Sequence, residues 1–253
     1  MTASGGRHPL VAALVSQGMR RGIRRRFNAV RLSGDAEALR HRGPLVVCAN
    51  HPGWWDPAVF AWLQHHFFGY CHGYGPMEAA ALRRYPLLEK AGLISLDPND
   101  AQSLRRFIRI ARDVLEQGNV LWITPQGEFA DSRDRPIRLQ AGFAHLVRHV
   151  PSARLVPLAI EYPFWNESQP ELLLRFGAPM PVGIGEGVRS VTSRMEEALT
   201  QTMDALAQDA CTRDASRFTT FTQGQAGIGG LYDIGRRVRQ WARRESFQPR
   251  HDP

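Results

Sequence analysis

The spacing of apolar residues along this chain switches repeatedly between short unbroken runs and a helical repeat. Leu10, Leu14, Met19, Ile23 and Phe27 recur at helical intervals and predict an amphipathic N-terminal helix. A short strand is expected near 28–32. Leu45-Val46-Val47-Cys48-Ala49 reads as a buried strand, bounded by Arg42-Gly43-Pro44 on one side and Pro52-Gly53 on the other. Helix signals cover about 55–68 and 77–91, with a strand around 69–74 between them. A strand at 93–97 ends in the turn residues Asp97-Pro98-Asn99-Asp100. Leu104, Phe107, Ile108, Ala111, Val114 and Leu115 then mark a helix over 101–117, which Gly118 closes. Further strands are expected at 119–123, 154–161 and 171–176, and helices at 142–149 and 189–209. Strands alternating with helices predict an α/β fold: a layered mixed, largely parallel sheet flanked by helices, with the N-terminal helix added. In such a sheet ligands gather beyond the carboxyl ends of the strands.

Composition is that of an ordinary globular protein, 43% hydrophobic and 22% charged over 253 residues, enough for one sizeable core. The charge is uneven. Residues 1–34 hold seven arginines (Arg7, Arg20, Arg21, Arg24, Arg25, Arg26, Arg31) and no acid, against a net charge of +8 for the chain. Arg236, Arg237, Arg239, Arg243 and Arg244 form a second cluster. Such clusters suit an anionic surface, either phospholipid headgroups or nucleic acid. The apolar run at 9–15 is too short to span a bilayer, and its arginines follow it rather than precede it as in a signal peptide. The N-terminal helix therefore either lies in the headgroup plane or packs its apolar stripe on the core.

Cys48, Cys71 and Cys211 are scattered and match no disulfide or zinc pattern, and Cys48 fits a small buried hydrophobe. His65, His66 and His72 lack a carboxylate at ligand spacing, so no metal is expected. No G-x-S-x-G elbow is present. The glycine-rich run 224–230 reads as a hinge before a basic helix, since it lacks the G-x-G-x-x-G spacing.

The most informative residues are His51 and Asp56, five apart in Asn50-His51-Pro52-Gly53-Trp54-Trp55-Asp56-Pro57. A loop bent by proline and glycine at a strand's exit can fold the carboxylate back onto the imidazole. The carboxylate then fixes the tautomer, and the other ring nitrogen is left to take a proton from a hydroxyl. Such a pair lacks a nucleophile of its own, so the substrate supplies one. The structural alternative is a histidine that merely packs near an aspartate.

This stretch resembles the H-x4-D signature of the glycerolipid acyltransferase superfamily, the family of lysophosphatidic acid acyltransferases. Gly92-Leu93-Ile94-Ser95-Leu96-Asp97, Thr124-Pro125-Gln126-Gly127-Glu128-Phe129 and Leu155-Val156-Pro157-Leu158-Ala159 follow in that family's order, and the resemblance spans about residues 40–185. It implies an O-acyltransferase in which His51 is the general base and Asp56 its orienter. It also implies that backbone N–H groups around Gly127 stabilise the oxyanion, with Gln126, Gly127 and Glu128 of that block binding substrate. Trp54 and Trp55, beside the loop, either fill the core or line the substrate channel, and of the nearby Arg105, Arg133, Arg135 and Arg138, none of which matches a family position, Arg133 is the expected substrate contact. No cofactor is implied; acyl-CoA or acyl-carrier protein is the donor, and a lipid is the acceptor. The expected division is a basic membrane-associating segment at 1–34, an acyltransferase domain at 35–222, and a hinge with a basic helix at 223–253. The expected location is the cytoplasmic membrane face, peripherally bound, with no nucleic acid partner.

The third block departs from the family's usual Pro-Glu-Gly-Thr-Arg. Gln126 replaces the acid, Glu128 brings one two positions later, and Phe129 stands at the arginine position. Pro98 stands where the second block commonly ends in a phosphate-binding arginine. Phosphate recognition relies on forked, charge-assisted bonds, so a neutral or sugar-bearing lipid hydroxyl is the expected acceptor. Lysophosphatidic acid is the alternative substrate. A non-catalytic lipid- or nucleic-acid-binding protein is the alternative class.

Overall fold

The computed structural model describes residues 6–35 and 42–223. The glycine-rich run 224–230 and the second arginine cluster lie outside the described residues. The predicted architecture is present: a mixed, largely parallel sheet with helices on both faces. Its strands are β1 (Ala29–Ser33), β2 (Leu45–Ala49), β3 (Gly73–Glu78), β4 (Leu93–Leu96), β5 (Val120–Ile123), β6 (Arg154–Glu161), β7 (Leu172–Phe176), β8 (Met180–Pro181) and β9 (Phe218–Gln223). They lie in the order β4-β3-β5-β2-β6-β7-β1-β9, with β8 beside β6. From β4 to β6 every pairing is parallel. β7 turns antiparallel to β6, and β9 antiparallel to β1. The carboxyl ends of β2, β5 and β6 therefore share one edge.

The central strands are legible because helices cover both of their faces. Every residue of β2 and β5 is buried, the signature of parallel strands sandwiched between layers. One face carries α1 (Pro9–Arg26) and α2 (Asp56–Phe67), packed through Ile23, Trp62 and Leu63 onto Leu45, Val47 and Trp122. The other carries α5 (Ala101–Glu116), α6 (Gly142–Val147) and α7 (Val188–Thr212), packed onto Val46, Cys48 and Leu155. Cys48 is fully buried, and that burial pushes its thiol pKa well above the ordinary value.

The N-terminal stripe packs on the core at one end only. Ile23 and Phe27 are 0% and 2% exposed, whereas Leu10 and Leu14 are 71% and 68% exposed. Each buried member is worth about 1.5–3 kcal/mol, enough to hold the last turns of α1 on the core. The first turns carry their leucines outward.

Three expectations need correction. The strand placed at 69–74 begins at Gly73 instead, because residues before it form a turn in which Cys71 N–H bonds the Phe68 carbonyl. β3 is poor in β-branched residues because it runs too close to β5. A Cβ on Gly75 would lie 2.9 Å from the Trp122 carbonyl oxygen, so glycine fits here for lack of space. The helix placed at 77–91 is two short helices, α3 (Ala79–Arg84) and α4 (Leu87–Ala91). Pro86 forces Tyr85 out of helical geometry at φ −128°, ψ 67°. Finally, β9 and the two-residue β8 were not anticipated. β9 is an edge strand whose threonine-rich sequence lacks an apolar run.

Candidate active site

His51 leaves β2 at the edge shared with β5 and β6. Just before it, Asn50 is buried and holds β6: its side-chain Nδ2 donates to the Ile160 carbonyl at 3.0 Å, and its Oδ1 accepts the Ile160 N–H at 2.8 Å. The chain then turns through Pro52-Gly53 and enters α2 at Asp56, whose N–H bonds the Gly53 carbonyl at 3.2 Å. This turn does what the spacing requires. His51 Nδ1–H donates to Asp56 Oδ2 at 2.5 Å, and the Gly53 N–H reaches the same oxygen at 3.3 Å.

Asp56 is fully buried, while the His51 side chain keeps 20% of its surface exposed. The other carboxylate oxygen, Oδ1, accepts the Tyr162 hydroxyl at 2.5 Å. Burial first, and then the neighbouring Asp56 charge, push the Tyr162 pKa far above its ordinary value. The phenol stays protonated and acts only as a donor to Asp56. His51 Nε2 takes no hydrogen-bond partner among the described residues. The arrangement can accept a proton at Nε2 and hold the resulting imidazolium against a buried carboxylate.

The loop after β5 is clamped to the same histidine. Gln126 Oε1 accepts the His51 N–H at 2.8 Å, and the Ala130 N–H donates to the His51 carbonyl at 3.0 Å. Between the clamps Gly127 adopts φ +82°, the left-handed geometry that suits glycine, and its N–H bonds the Thr124 carbonyl at 3.1 Å. The N–H groups of Glu128 and Phe129 have no acceptor among the described residues. The Phe129 ring lies 4.5 Å from the imidazole, tilted 55°, and is 61% exposed.

The other expected site residues are placed unevenly. Gln126 reaches His51 through its backbone, so its oxygen serves the scaffold. Glu128 and Trp54 are exposed near the site, Trp54 at 75%. Trp55 is half-buried and meets Phe27 edge-on at 5.5 Å, linking the end of α1 to the loop between His51 and Asp56. Arg133 is not brought to His51 by any hydrogen bond among the described residues. Its guanidinium is forked onto Asp131 at 2.6 and 2.8 Å. Of the other nearby arginines, Arg135 is held by Asp204 at 2.5 Å. His66 stacks on Trp62 at 3.8 Å.

Two important residues escaped the sequence reading. Asn50 adjoins the histidine and gave no motif. Tyr162 directly follows the strand containing the fourth block, and its place at a strand's carboxyl end was the available signal.

With this geometry in hand, comparison with known proteins is specific. Residues 31–161 match the family model described as Acyltransferase. Among solved structures the chain is similar to the 1-acyl-sn-glycerophosphate (LPA) acyltransferase, PlsC, from Thermotoga maritima. The TM-score is 0.58 at 14% identity, over 78% of this chain and 79% of that one. At that identity the likeness is one of fold. No curated protein matches the chain.

Proposed function

The chain belongs to the acyltransferase family, and from that premise we propose that it moves a fatty acyl group from an acyl thioester to a hydroxyl of a lipid acceptor. The observation that carries this reading is the His51–Asp56 hydrogen bond of 2.5 Å with Nε2 left open. The acceptor hydroxyl gives its proton to Nε2 as its oxygen attacks the thioester carbonyl carbon. Negative charge passes to the carbonyl oxygen, toward the free N–H groups of Glu128 and Phe129. Collapse of the intermediate breaks the C–S bond, and the imidazolium returns its proton to the departing thiolate. The products are the ester and a free thiol, with no acyl-enzyme. Asp56 stabilises the imidazolium throughout.

The donor is acyl-CoA or acyl-carrier protein, and no cofactor takes part. The acceptor is a non-phosphate or glycosylated lipid, because Arg133 is engaged by Asp131 and the Phe129 ring lies 4.5 Å from the imidazole. The fold likeness to an LPA acyltransferase favours a second reading, in which lysophosphatidic acid is the acceptor. Comparable turnover on lysophosphatidic acid decides for the second.

Binding at the cytoplasmic membrane face completes the reading. Among the described residues no helix is long and apolar enough to cross a membrane. Exposed Leu10 and Leu14 lie on the same helix as Arg21, Arg24 and Arg25, a pattern suited to anionic headgroups. Flotation with anionic but not neutral liposomes supports this, and retention on DNA at the same salt instead refutes it. The decisive test of catalysis is His51→Ala, which abolishes acyl transfer while leaving the melting temperature near that of the parent. Retained transfer overturns the mechanism.

A further inference from the structure

Phe129 and Glu128 sit between the two clamps on His51, so their places relative to the imidazole are fixed. Gln126 holds one end of the loop and Ala130 the other, at 2.8 and 3.0 Å from the His51 backbone. Neither side chain serves the fold visibly. The Phe129 ring lies tilted against the imidazole, its centroid 4.5 Å away, and leaves 61% of its surface open. Glu128 is exposed, and its carboxylate has no partner among the described residues.

We propose that this pair selects the acceptor. A sugar ring stacks its C–H face on Phe129 and offers a neighbouring hydroxyl to Glu128, while a phosphate monoester is repelled by Glu128. The inference rests on the acyl-transfer reading above and deepens it to a substrate class.

The physical argument has two parts. An exposed phenyl ring beside the proton acceptor gains by being covered, since covering it removes apolar surface from water. The acceptor hydroxyl gives its proton to His51, so the group that covers a ring 4.5 Å from the imidazole is assigned to the acceptor. The charge around it excludes the common anionic acceptor. Glu128 is an unpaired anion in the loop, and the arginine that follows it, Arg133, is already neutralised by Asp131 at 2.6 Å. A carboxylate accepts hydrogen bonds from hydroxyls and cannot donate one to phosphate.

The test uses the full chain with palmitoyl-CoA and three micellar acceptors: dodecyl glucoside, a monoacylglycerol and lysophosphatidic acid. The parent protein is expected to prefer the glucoside over lysophosphatidic acid by about 10-fold or more in kcat/KM, the factor that follows from about 1.4 kcal/mol. Phe129→Ala raises KM for the glucoside about 10-fold with little change in kcat, as loss of a covered ring requires. Glu128→Gln and Phe129→Arg shift the ratio toward lysophosphatidic acid. Both side chains are exposed, so these variants keep the parent's melting temperature. Equal use of lysophosphatidic acid, preference for the monoacylglycerol over the glucoside, or an unchanged KM in Phe129→Ala overturns the inference and leaves acyl transfer standing. Failure of the parent on all three acceptors, with the thioester intact, counts against acyl transfer itself.

Discussion

Tyr162 donates its hydroxyl to Asp56 across a 2.5 Å hydrogen bond, so a residue 106 positions away holds the far side of the carboxylate that pairs with His51. The tyrosine ring is itself braced by Phe27 at 5.4 Å, at the end of α1. Position of the carboxylate is thus tied to the seating of the N-terminal helix. Tyr162→Phe keeps the ring and removes only the donor. A hydrogen bond to a charged group is worth about 1.5–3 kcal/mol. Acyl transfer is therefore expected to fall about 10-fold in kcat with KM nearly unchanged, read by steady-state kinetics. Tyr162→Ala loses more, because it also opens the contact with Phe27. Equal activity in Tyr162→Phe and the parent removes the tyrosine from the mechanism.

Asp56→Asn distinguishes an orienting carboxylate from a packing residue. The amide fits the same buried space but offers His51 Nδ1 either a donor or a neutral acceptor, which favours the wrong tautomer. The equivalent change in a Ser-His-Asp triad lowers kcat about 10⁴-fold, and a loss of about 10³-fold or more is expected here. Circular dichroism and the melting temperature report whether the fold survives. Activity within a few-fold of the parent removes Asp56 from catalysis.

Much of this site was legible because its first two members lie in one loop. His51 and Asp56 are five residues apart, and the Pro-Gly turn between them lies in the local sequence. The strands that carry them were legible too, since β2, β5 and β6 are continuous buried runs. What escaped depends on tertiary contact. Tyr162 reaches Asp56 only because β6 lies beside β2 in the sheet. The strand expected at 69–74 was misplaced in its bounds as β3, Gly73–Glu78, because Gly75, which approaches the Trp122 carbonyl too closely for a Cβ, lacks the side chain that marks a strand. Arg133 looked available by sequence, yet Asp131 lies two residues away and takes its guanidinium. Local charge pairing of that kind follows from rotamers, which a spacing pattern does not encode.

Asn50 tests whether the strand exit must be stitched. Its side chain makes both a donor and an acceptor bond to Ile160 while only 1% exposed. Asn50→Ala leaves the buried N–H and C=O of Ile160 unpaired, at about 1–3 kcal/mol each. For a chain of this size each kcal/mol lowers the melting temperature by roughly 2–4 °C. Calorimetry is therefore expected to show a drop of several degrees. Activity measured well below the transition falls as well, because His51 follows directly. A melting temperature within a degree of the parent shows that water replaces the lost partners.

Glu186 supplies a pH-dependent contribution to stability away from the site. It precedes α7 and accepts from Arg194 Nη1 at 2.8 Å, the Gly183 N–H at 3.0 Å and Ser190 Oγ at 2.8 Å. The Arg194 bond above all, with the Gly183 N–H next, holds its pKa down at about 2. An unfolded glutamate titrates near 4.3, so between these two values the unfolded chain binds the extra proton. The stabilisation is therefore complete above about pH 5 and disappears as pH falls toward 2. Solvent screens the pair, which limits it to about 1 kcal/mol. Glu186→Gln is expected to melt slightly below the parent at pH 7, with the gap closing on acidification through that window. A gap that stays constant from pH 7 to pH 2 shows that the glutamate acts through packing rather than charge.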